Sequence, residues 1–407
     1  MELNKKNRVP LILTLGSMTA LSPFSIDMYL SAFPQMAVAM NTTVSEISIT
    51  LSSYFVGLAS GQLFYGPLMD KFGRKKPLYF GILLYALASI GCALSTSVET
   101  LAVLRFIQAI GGCSASVGAF AIVRDLFSPQ ESAKVLSLLI LILGVSPLFA
   151  PTIGGYVSHY FGWSSVFITL AIMSSTLLFF VYKILPESHK PDTTLKLHPV
   201  SIIKNYWSIL KEPQFYTYAL AGAIAFAGMF TYIAASPIIF MEIFKVSEQV
   251  YGWIFAIVAM GIVGSSQLNV FLLKRFSNQA ILKSALTMLI VTSLVFVTCA
   301  YMGWYNVYSI VVTMFIFLAC LGLSNPNSAA LSMAKFGTKA GSAAALMGFL
   351  QMSIGASTSL AVGLLKAQEL FPLSIIFIVT STLALTILLF GTKKINQSLM
   401  SSGPLQA

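Results

Sequence analysis

Long apolar stretches separated by short polar connections dominate the pattern of residues along this chain. Twelve of the stretches are long enough to cross about 30 Å of hydrocarbon as an α-helix, which rises about 1.5 Å per residue. They cover residues 9–32, 44–68, 77–96, 100–123, 133–157, 163–185, 214–237, 249–273, 279–301, 305–333, 340–366 and 370–391. The pattern therefore predicts an all-α membrane protein with twelve transmembrane helices.

One connection is longer and more polar than the others, and it divides the predicted helices six and six. We expect an N-terminal six-helix bundle over 1–185, a linker over 186–213, and a C-terminal bundle with a short tail over 214–407. A repeat supports this division. Val44-Ser45-Glu46 is matched by Val246-Ser247-Glu248, and Pro34 is matched by Pro237, each about half a chain later. These matches indicate two pseudo-symmetric repeats, an arrangement in which substrate binds at the repeat interface near mid-membrane.

Composition and charge agree with a multi-pass topology. Apolar residues make up 57% of the 407 residues and charged residues only 9%. If both termini are cytoplasmic, all but three of the 24 lysines and arginines fall on the cytoplasmic side or its edge. Cytoplasmic loops of membrane proteins carry such an excess of bases. Topology therefore explains the net charge of +11, and we expect the lipid bilayer, not nucleic acid, to be the partner of these bases.

The stretch Gly66 to Leu78 concentrates charge between two apolar runs. Its sequence GPLMDKFGRKKPL contains Asp70, Arg74 and Lys75, and we expect it to form a cytoplasmic loop. Gly66 and Gly73 would allow a tight reversal. A further charged dipeptide, Arg124-Asp125, ends the fourth apolar run at the same predicted membrane level.

Asp27 is the one carboxyl group that clearly lies within a predicted span. A charged side chain at such a depth costs at least about 2.5 kcal/mol, so intramembrane acids commonly face a cavity or a partner. Proton or cation handling is the functional interpretation. A structural hydrogen bond to a neighbouring helix is the alternative.

The fourth span supplies Arg105 at a depth similar to that of Asp27, with Gln108 one helical turn further on. Arg105 is either a partner of Asp27 in one cavity or a structural brace, since both roles require the same location. Two tyrosines, Tyr29 and Tyr54, and Gln351 of the eleventh span are candidate cavity residues. Aromatic residues along a membrane helix are nevertheless more often packing residues.

Small residues and prolines share one face of the fifth span, at Gly144, Pro147, Pro151 and Gly155. Small residues permit close helix approach and prolines remove helix hydrogen bonds, so this face is a candidate hinge. The cysteines and histidines show no metal-ligand spacing, and no phosphate loop, HExxH or GxSxG motif is present. We therefore expect no metal, no cofactor and no enzyme activity.

Several motifs resemble those of the major facilitator superfamily. GPLMDKFGRKK is similar to its signature between the second and third spans, and LAVLRFIQAIGG and GVSPLFAPTIGG to motifs of its drug:proton antiporters. SIDMYLSAFPQM resembles the first-span motif of the twelve-span branch. Together with SPIIF and ALMGFLQM, the set resembles the bicyclomycin and chloramphenicol resistance (Bcr/CflA) subfamily.

This resemblance implies a role for each group of residues. Asp27 would exchange proton for drug and Arg105 would tune it. Asp70 and Arg74 would form a cytoplasmic gate with Arg124 and Asp125. The hinge set would include Gly154 of GVSPLFAPTIGG.

The implied function is proton-driven multidrug or antibiotic efflux by alternating access, at the bacterial inner membrane. The proton gradient would replace any cofactor, and we expect a monomer with both termini cytoplasmic. The alternative is export or import of a physiological solute such as a dipeptide, siderophore, sugar or organic acid.

Overall fold

The computed structural model describes residues 5–189, 191, 199–336, 340–365 and 369–401. Within these ranges the chain is helical and contains no β-strand. The helices are α1 (Lys5–Asp27), α2 (Phe33–Ala39), α3 (Val44–Phe72), α4 (Lys75–Ala93), α5 (Val98–Leu126), α6 (Pro129–Phe161), α7 (Ser164–Ile184), α8 (Pro199–Leu210), α9 (Pro213–Pro237), α10 (Glu248–Leu272), α11 (Asn278–Met302), α12 (Val307–Met333), α13 (Ala340–Leu365) and α14 (Leu370–Ser401). Twelve spans in the described residues are long and apolar enough to cross a membrane, which confirms the predicted fold class.

The chain divides into two compact units. The first unit comprises Met1–Lys196, Ile233–Ile257 and Ser359–Gln368. The second comprises Leu197–Tyr232, Val258–Thr358 and Glu369–Ala407. The first unit thus contains the predicted N-terminal bundle together with two segments from the second half of the sequence.

Glycines set the helix spacing inside the first unit. A Cβ atom added to Gly57 of α3 would lie 2.5 Å from the carbonyl oxygen of Phe106 on α5. One added to Gly111 of α5 would lie 2.6 Å from the carbonyl oxygen of Gly81 on α4. Without side chains at these points, the backbones of α3, α4 and α5 approach closely, as is common for membrane helices. These contacts hold α5, the helix that carries Arg105.

The linker contains a helix that the sequence analysis does not anticipate. α8 spans Pro199–Leu210, and Ile209 packs in a core cluster of the second unit with Phe215 and Met347. Linker residues 190 and 192–198 lie outside the described part of the chain.

The first predicted span is not one continuous helix. α1 ends at Asp27, a 3-10 turn covers Leu30–Ala32, and α2 restarts the helix at Phe33. Pro34 lies in the first turn of α2, where its missing N–H costs nothing. The matched place in the second repeat is also irregular, because a π-helical segment Ile238–Ile243 follows Pro237. Discontinuous membrane helices of this kind form ion and substrate sites in many transporters.

The charged stretch Gly66–Leu78 is not a loop, and this part of the sequence prediction is wrong. α3 continues to Phe72 and α4 begins at Lys75, so only Gly73 and Arg74 connect them. Gly73 has φ +82°, a conformation that favours glycine, and it makes the reversal. Gly66 lies inside α3, and no atom is within 4 Å of where its Cβ would stand. The buried face that includes Met69 keeps this last part of α3 helical despite Gly66 and Pro67.

Candidate functional site

Asp27 lies at the break in the first span. It is the last residue of α1, and only 3% of its surface is exposed. Its Oδ1 atom has no hydrogen-bond partner, and no ion pair of Asp27 occurs within the described residues. A buried carboxylate without a partner is expensive, so the structure leaves the charge on this group uncompensated.

Arg105 is also fully buried, but its surroundings differ from those of Asp27. Its Nη1 donates to Ser25 Oγ at 3.0 Å and to Gln108 Oε1 at 2.5 Å, and its Nη2 donates to the Ser25 carbonyl at 2.9 Å. Gln108 in turn donates to Ser89 Oγ at 2.7 Å. The guanidinium therefore joins α5 to α1 through neutral acceptors.

Two tyrosine rings enclose the guanidinium of Arg105. The ring centroids of Tyr29 and Tyr54 each lie 4.1 Å from its central carbon. Such cation–π contacts reach about 2 kcal/mol when water is excluded. Tyr29 and Tyr54, predicted as cavity residues, are thus fully buried packing partners of Arg105 in this arrangement.

Arg105 and Asp27 lie near the same end of α1 without bonding to one another. The guanidinium reaches Ser25, two residues before Asp27, and the described residues contain no Arg105–Asp27 ion pair. The sequence identifies both residues and their common depth. The structure adds that the charge of Arg105 does not depend on a carboxylate partner.

Tyr251 of α10 and Ser236 form a buried pair in the first unit that was not predicted to belong to the site. A 2.8 Å hydrogen bond joins the Tyr251 hydroxyl and Ser236 Oγ. Ser236 belongs to the motif SPIIF, which is the only sequence signal that points to this pair.

The predicted face of α6 packs directly against the break after Asp27. A Cβ atom at Gly154 would lie 1.8 Å from the carbonyl oxygen of Met28, and Ser31 Oγ donates to the Pro151 carbonyl at 2.8 Å. A Cβ atom at Gly155 would lie 2.7 Å from the Glu248 carbonyl oxygen. Close packing is therefore confirmed at Pro151, Gly154 and Gly155.

The two remaining residues of the predicted hinge, Gly144 and Pro147, lie earlier in the same helix. Gly144 and Pro147 are half-buried, and α6 is one continuous helix through its two internal prolines, Pro147 and Pro151. Hinge motion itself stays a prediction.

A hydrogen-bonded group joins α2, α6 and α10 at the end of the spans where the chain passes from α2 to α3, around Asn41. Gln35 Nε2 lies 2.9 and 3.0 Å from the two carboxylate oxygens of Glu248, and Ser158 Oγ donates to the same carboxylate at 3.0 Å. We call Gln35, Ser158 and Glu248 the Glu248 latch. The repeat match of Glu248 to Glu46 is the only sequence signal for it.

The predicted gate cluster lies at the opposite end of the first unit. We call this end of the unit, where α3 meets α4 at Gly73 and Arg74, the basic end. Arg74 Nη1 donates to Asp70 at 2.7 Å, and its Nε and Nη2 donate to the two oxygens of Asp125 at 2.8 and 3.3 Å. Burial alone would lower the pKa of Arg74, but its hydrogen bonds to Asp125 and Asp70 outweigh burial and raise it. Asp70, Arg74 and Asp125 thus meet as predicted.

Other residues at the basic end differ from the prediction. Arg124 is exposed and forms no ion pair within the described residues. Glu187 was not predicted, and its carboxylate accepts hydrogen bonds from the backbone N–H groups of Arg74 at 2.7 Å and Lys75 at 3.2 Å. It therefore satisfies N–H groups at the start of α4.

Gln351 lies in the second unit, where its amide donates to Asn325 Oδ1 at 2.8 Å. Asn327 of the same helix, α12, donates to Asn269 Oδ1 at 2.7 Å. Groups of three or more potential metal ligands do not occur among the described residues.

Comparison with known proteins gives one family. The model of the Major Facilitator Superfamily matches residues 15–360. The chain is 32% identical over 395 residues to the uncharacterized MFS-type transporter YdgK of Bacillus subtilis, covering 96% of each chain.

Two further relatives carry names that state a phenotype. The chain is 28% identical to the bicyclomycin resistance protein homolog of Haemophilus influenzae, covering 91% of this chain and 92% of that one. It is 29% identical to the multidrug resistance protein MdtL of a Shewanella species, covering 90% and 92%. Among solved structures, the D-xylose-proton symporter has a TM-score of 0.71 at 15% identity, covering 92% of this chain and 96% of that one. At that identity the likeness concerns the fold alone.

Proposed function

The chain belongs to the major facilitator superfamily, and we propose that it exports small amphipathic compounds in exchange for protons. Membership makes the protein a multi-pass membrane transporter rather than an enzyme. The relatives named for bicyclomycin and multidrug resistance favour antibiotic-like cargo. We further propose that the protein acts as a monomer in the bacterial inner membrane.

The orientation follows from the distribution of charge. We propose that the basic end and both termini face the cytoplasm, because bases are enriched on that side of membrane proteins. The Glu248 latch then lies at the outer end of the first unit. In the proposed cycle, the latch releases when the outer side opens and forms again when that side closes.

The observation that carries the proposal is the burial of Asp27 at a break in its helix, with no ion pair and no hydrogen bond to its Oδ1 atom within the described residues. A neutral carboxyl group can be buried at modest cost, whereas a bare carboxylate cannot. Closure over Asp27 therefore requires either a proton on the carboxyl group or cargo that stabilises the carboxylate, with a positive group or with hydroxyl and N–H groups that donate hydrogen bonds to it. This requirement would couple the movement of protons to the movement of cargo and would suppress futile closure.

Arg105 has a different role in this proposal. Its neutral acceptors and the rings of Tyr29 and Tyr54 keep the guanidinium in place whether or not Asp27 carries a proton. The guanidinium then keeps α5 bonded to Ser25 of α1, two residues before Asp27, throughout the proposed cycle.

The test is transport by the full chain in liposomes, with radiolabelled chloramphenicol as the probe. We expect Asp27→Asn to abolish transport driven by an imposed pH gradient, while exchange of labelled for unlabelled probe without a gradient persists. Glu99→Gln, which neutralises an exposed acid in the first turn of α5, is the matched control and should behave like the parent protein. Full gradient-driven transport by Asp27→Asn would overturn the proposal.

A further inference from the structure

A groove on the side of the first unit lies apart from the candidate transport site. It runs between α4 and α7 and has a volume of about 490 Å³. Its walls include Tyr79, Phe80, Leu83, Leu178, Phe179 and Tyr182. Phe80, Phe179 and Tyr182 are 66%, 57% and 64% exposed, although both helices are membrane spans. Exposed apolar side chains on a membrane span face lipid, so the groove is shaped toward acyl chains.

Lysines flank this groove at the basic end. Lys75 Nζ lies 5.6 Å from the centroid of the Tyr79 ring, and Lys183 Nζ lies 5.7 Å from the centroid of the Tyr182 ring. The two tyrosine rings are themselves only 6.3 Å apart. Lys76 is exposed and precedes Phe80 by four residues, which places both side chains on one face of α4. Three ammonium groups therefore border the end of a groove whose walls are aromatic and aliphatic.

The nearby acids offset these lysines only in part. Asp70 and Asp125 both bind Arg74, and Glu187 accepts from backbone N–H groups at the start of α4. Lys75, Lys76 and Lys183 form no salt bridge within the described residues. The start of α4 also has no acidic residue in its first turn. Arg74 and the three lysines outnumber the acids Asp70, Asp125 and Glu187, so this corner of the molecule keeps a net positive charge that an external anion would compensate.

We propose that this groove binds an anionic glycerophospholipid, with an acyl chain between α4 and α7 and the phosphate among Lys75, Lys76 and Lys183. Charge complementarity selects an anionic headgroup over a zwitterionic one. The apolar groove selects a lipid over a free phosphate ester, because exposed lysines alone hold small anions weakly. The site is independent of the transported compound and of Asp27.

The experiment measures lipid retention by the purified full chain. The protein is placed in nanodiscs of equal parts phosphatidylglycerol and phosphatidylcholine, released into mild detergent, and examined by native mass spectrometry. The test variant is K75Q/K76Q/K183Q. The control variant is K211Q/K274Q/K283Q, which removes the same charge, including two lysines that also lie beside aromatic rings. A third variant, Leu83→Trp, fills the groove and keeps all three lysines.

The parent protein and the control variant should retain phosphatidylglycerol in preference to phosphatidylcholine. The test variant should bind it about tenfold or more weakly, since each lysine contributes at a charged membrane surface. Leu83→Trp should also lose the lipid. Equal retention by the test variant, equal retention of phosphatidylcholine by the parent, or full retention by Leu83→Trp would each overturn the proposal. Glycerol phosphate, which has no acyl chain, should not protect the parent protein against thermal unfolding. Protection by glycerol phosphate equal to that by phosphatidylglycerol would also overturn the proposal.

Discussion

Arg105 and Asp27 are both ionisable residues buried within membrane spans. The side chain of Arg105, on α5, reaches the last turn of α1, which carries Asp27. Arg105 has hydrogen bonds to Ser25 and Gln108 and an aromatic ring on each side. Asp27 has an oxygen without any hydrogen-bond partner. Arg105 is therefore held in one charged state, while Asp27 is left free to change its charge.

The two buried groups also differ in what costs free energy, which is removal of the side chain for Arg105 and ionisation for Asp27. A cation with three hydrogen bonds is costly to remove, because its neutral acceptors lose their donor, although Arg105 Nε has no hydrogen-bond partner within the described residues. An uncoordinated acid is costly to keep charged, because nothing offsets its lost hydration. Stability should therefore depend on Arg105, and coupling should depend on Asp27.

Replacing Arg105 by methionine should lower the free energy of unfolding by about 3 kcal/mol or more, because two cation–π contacts and three hydrogen bonds disappear. Asp27→Asn should leave stability unchanged or raise it, since the amide removes a charge that has no partner. Thermal unfolding of both variants in the same detergent checks this. Equal loss of stability in the two variants would contradict the division of roles.

Gly154→Ala should disturb the position of Asp27 without touching Arg105. The added methyl group would lie 1.8 Å from the carbonyl oxygen of Met28, so backbone must move at the break. Overpacking of this kind costs about 1–3 kcal/mol. Gly66→Ala is the matched control, since it adds the same methyl group to a helix where nothing lies within 4 Å. We expect reduced transport and stability in Gly154→Ala, and no loss of either in Gly66→Ala.

Breaking the Glu248 latch should shift the accessibility of the outer end. Glu248→Gln replaces charge-assisted hydrogen bonds from Gln35 and Ser158 by weaker neutral ones, a loss of about 1 kcal/mol for each bond. A cysteine introduced at Ala37, a buried residue of α2 outside the latch, should therefore react faster with a membrane-impermeant maleimide in the Glu248→Gln background than in the otherwise unchanged protein. An unchanged rate would show that the latch does not hold this end closed.

The smallest effect concerns the rings around Arg105. Tyr54→Phe keeps the ring and should retain the stability of the parent protein, because the Tyr54 hydroxyl has no hydrogen-bond partner within the described residues. Tyr54→Leu removes the π-face and should cost about 1–2 kcal/mol. Unfolding midpoints of the two variants measure the difference, and equal midpoints would mean that burial, not cation–π contact, matters at this position.

The membrane spans and the depth of the two buried ionisable residues could be predicted from the sequence. Hydrophobic runs of sufficient length determine the twelve spans, and the depth of Asp27 and Arg105 follows from counting along them. The pairing of Arg105 with Gln108 follows from helical spacing, and the meeting of Arg74 with Asp125 was implied by family motifs.

Other features could not be read from the chain. The break between Asp27 and Phe33 lies in an apolar stretch whose composition equally suits a continuous helix. Gln35 and Glu248 are 213 residues apart, and no local pattern connects them. The enclosure of Arg105 by Tyr29 and Tyr54 depends on how α1, α3 and α5 pack, which hydrophobic periodicity alone does not specify.

The central claim is that Asp27 carries the transported proton, and the most direct test is proton release on binding of cargo. The full chain, in a weakly buffered detergent solution with a pH-indicator dye, is mixed with saturating chloramphenicol. The parent protein and Glu99→Gln should release up to about one proton for each bound molecule, because cargo and proton compete for one carboxyl group. Asp27→Asn should bind the compound and release none. Equal proton release by Asp27→Asn would contradict the account.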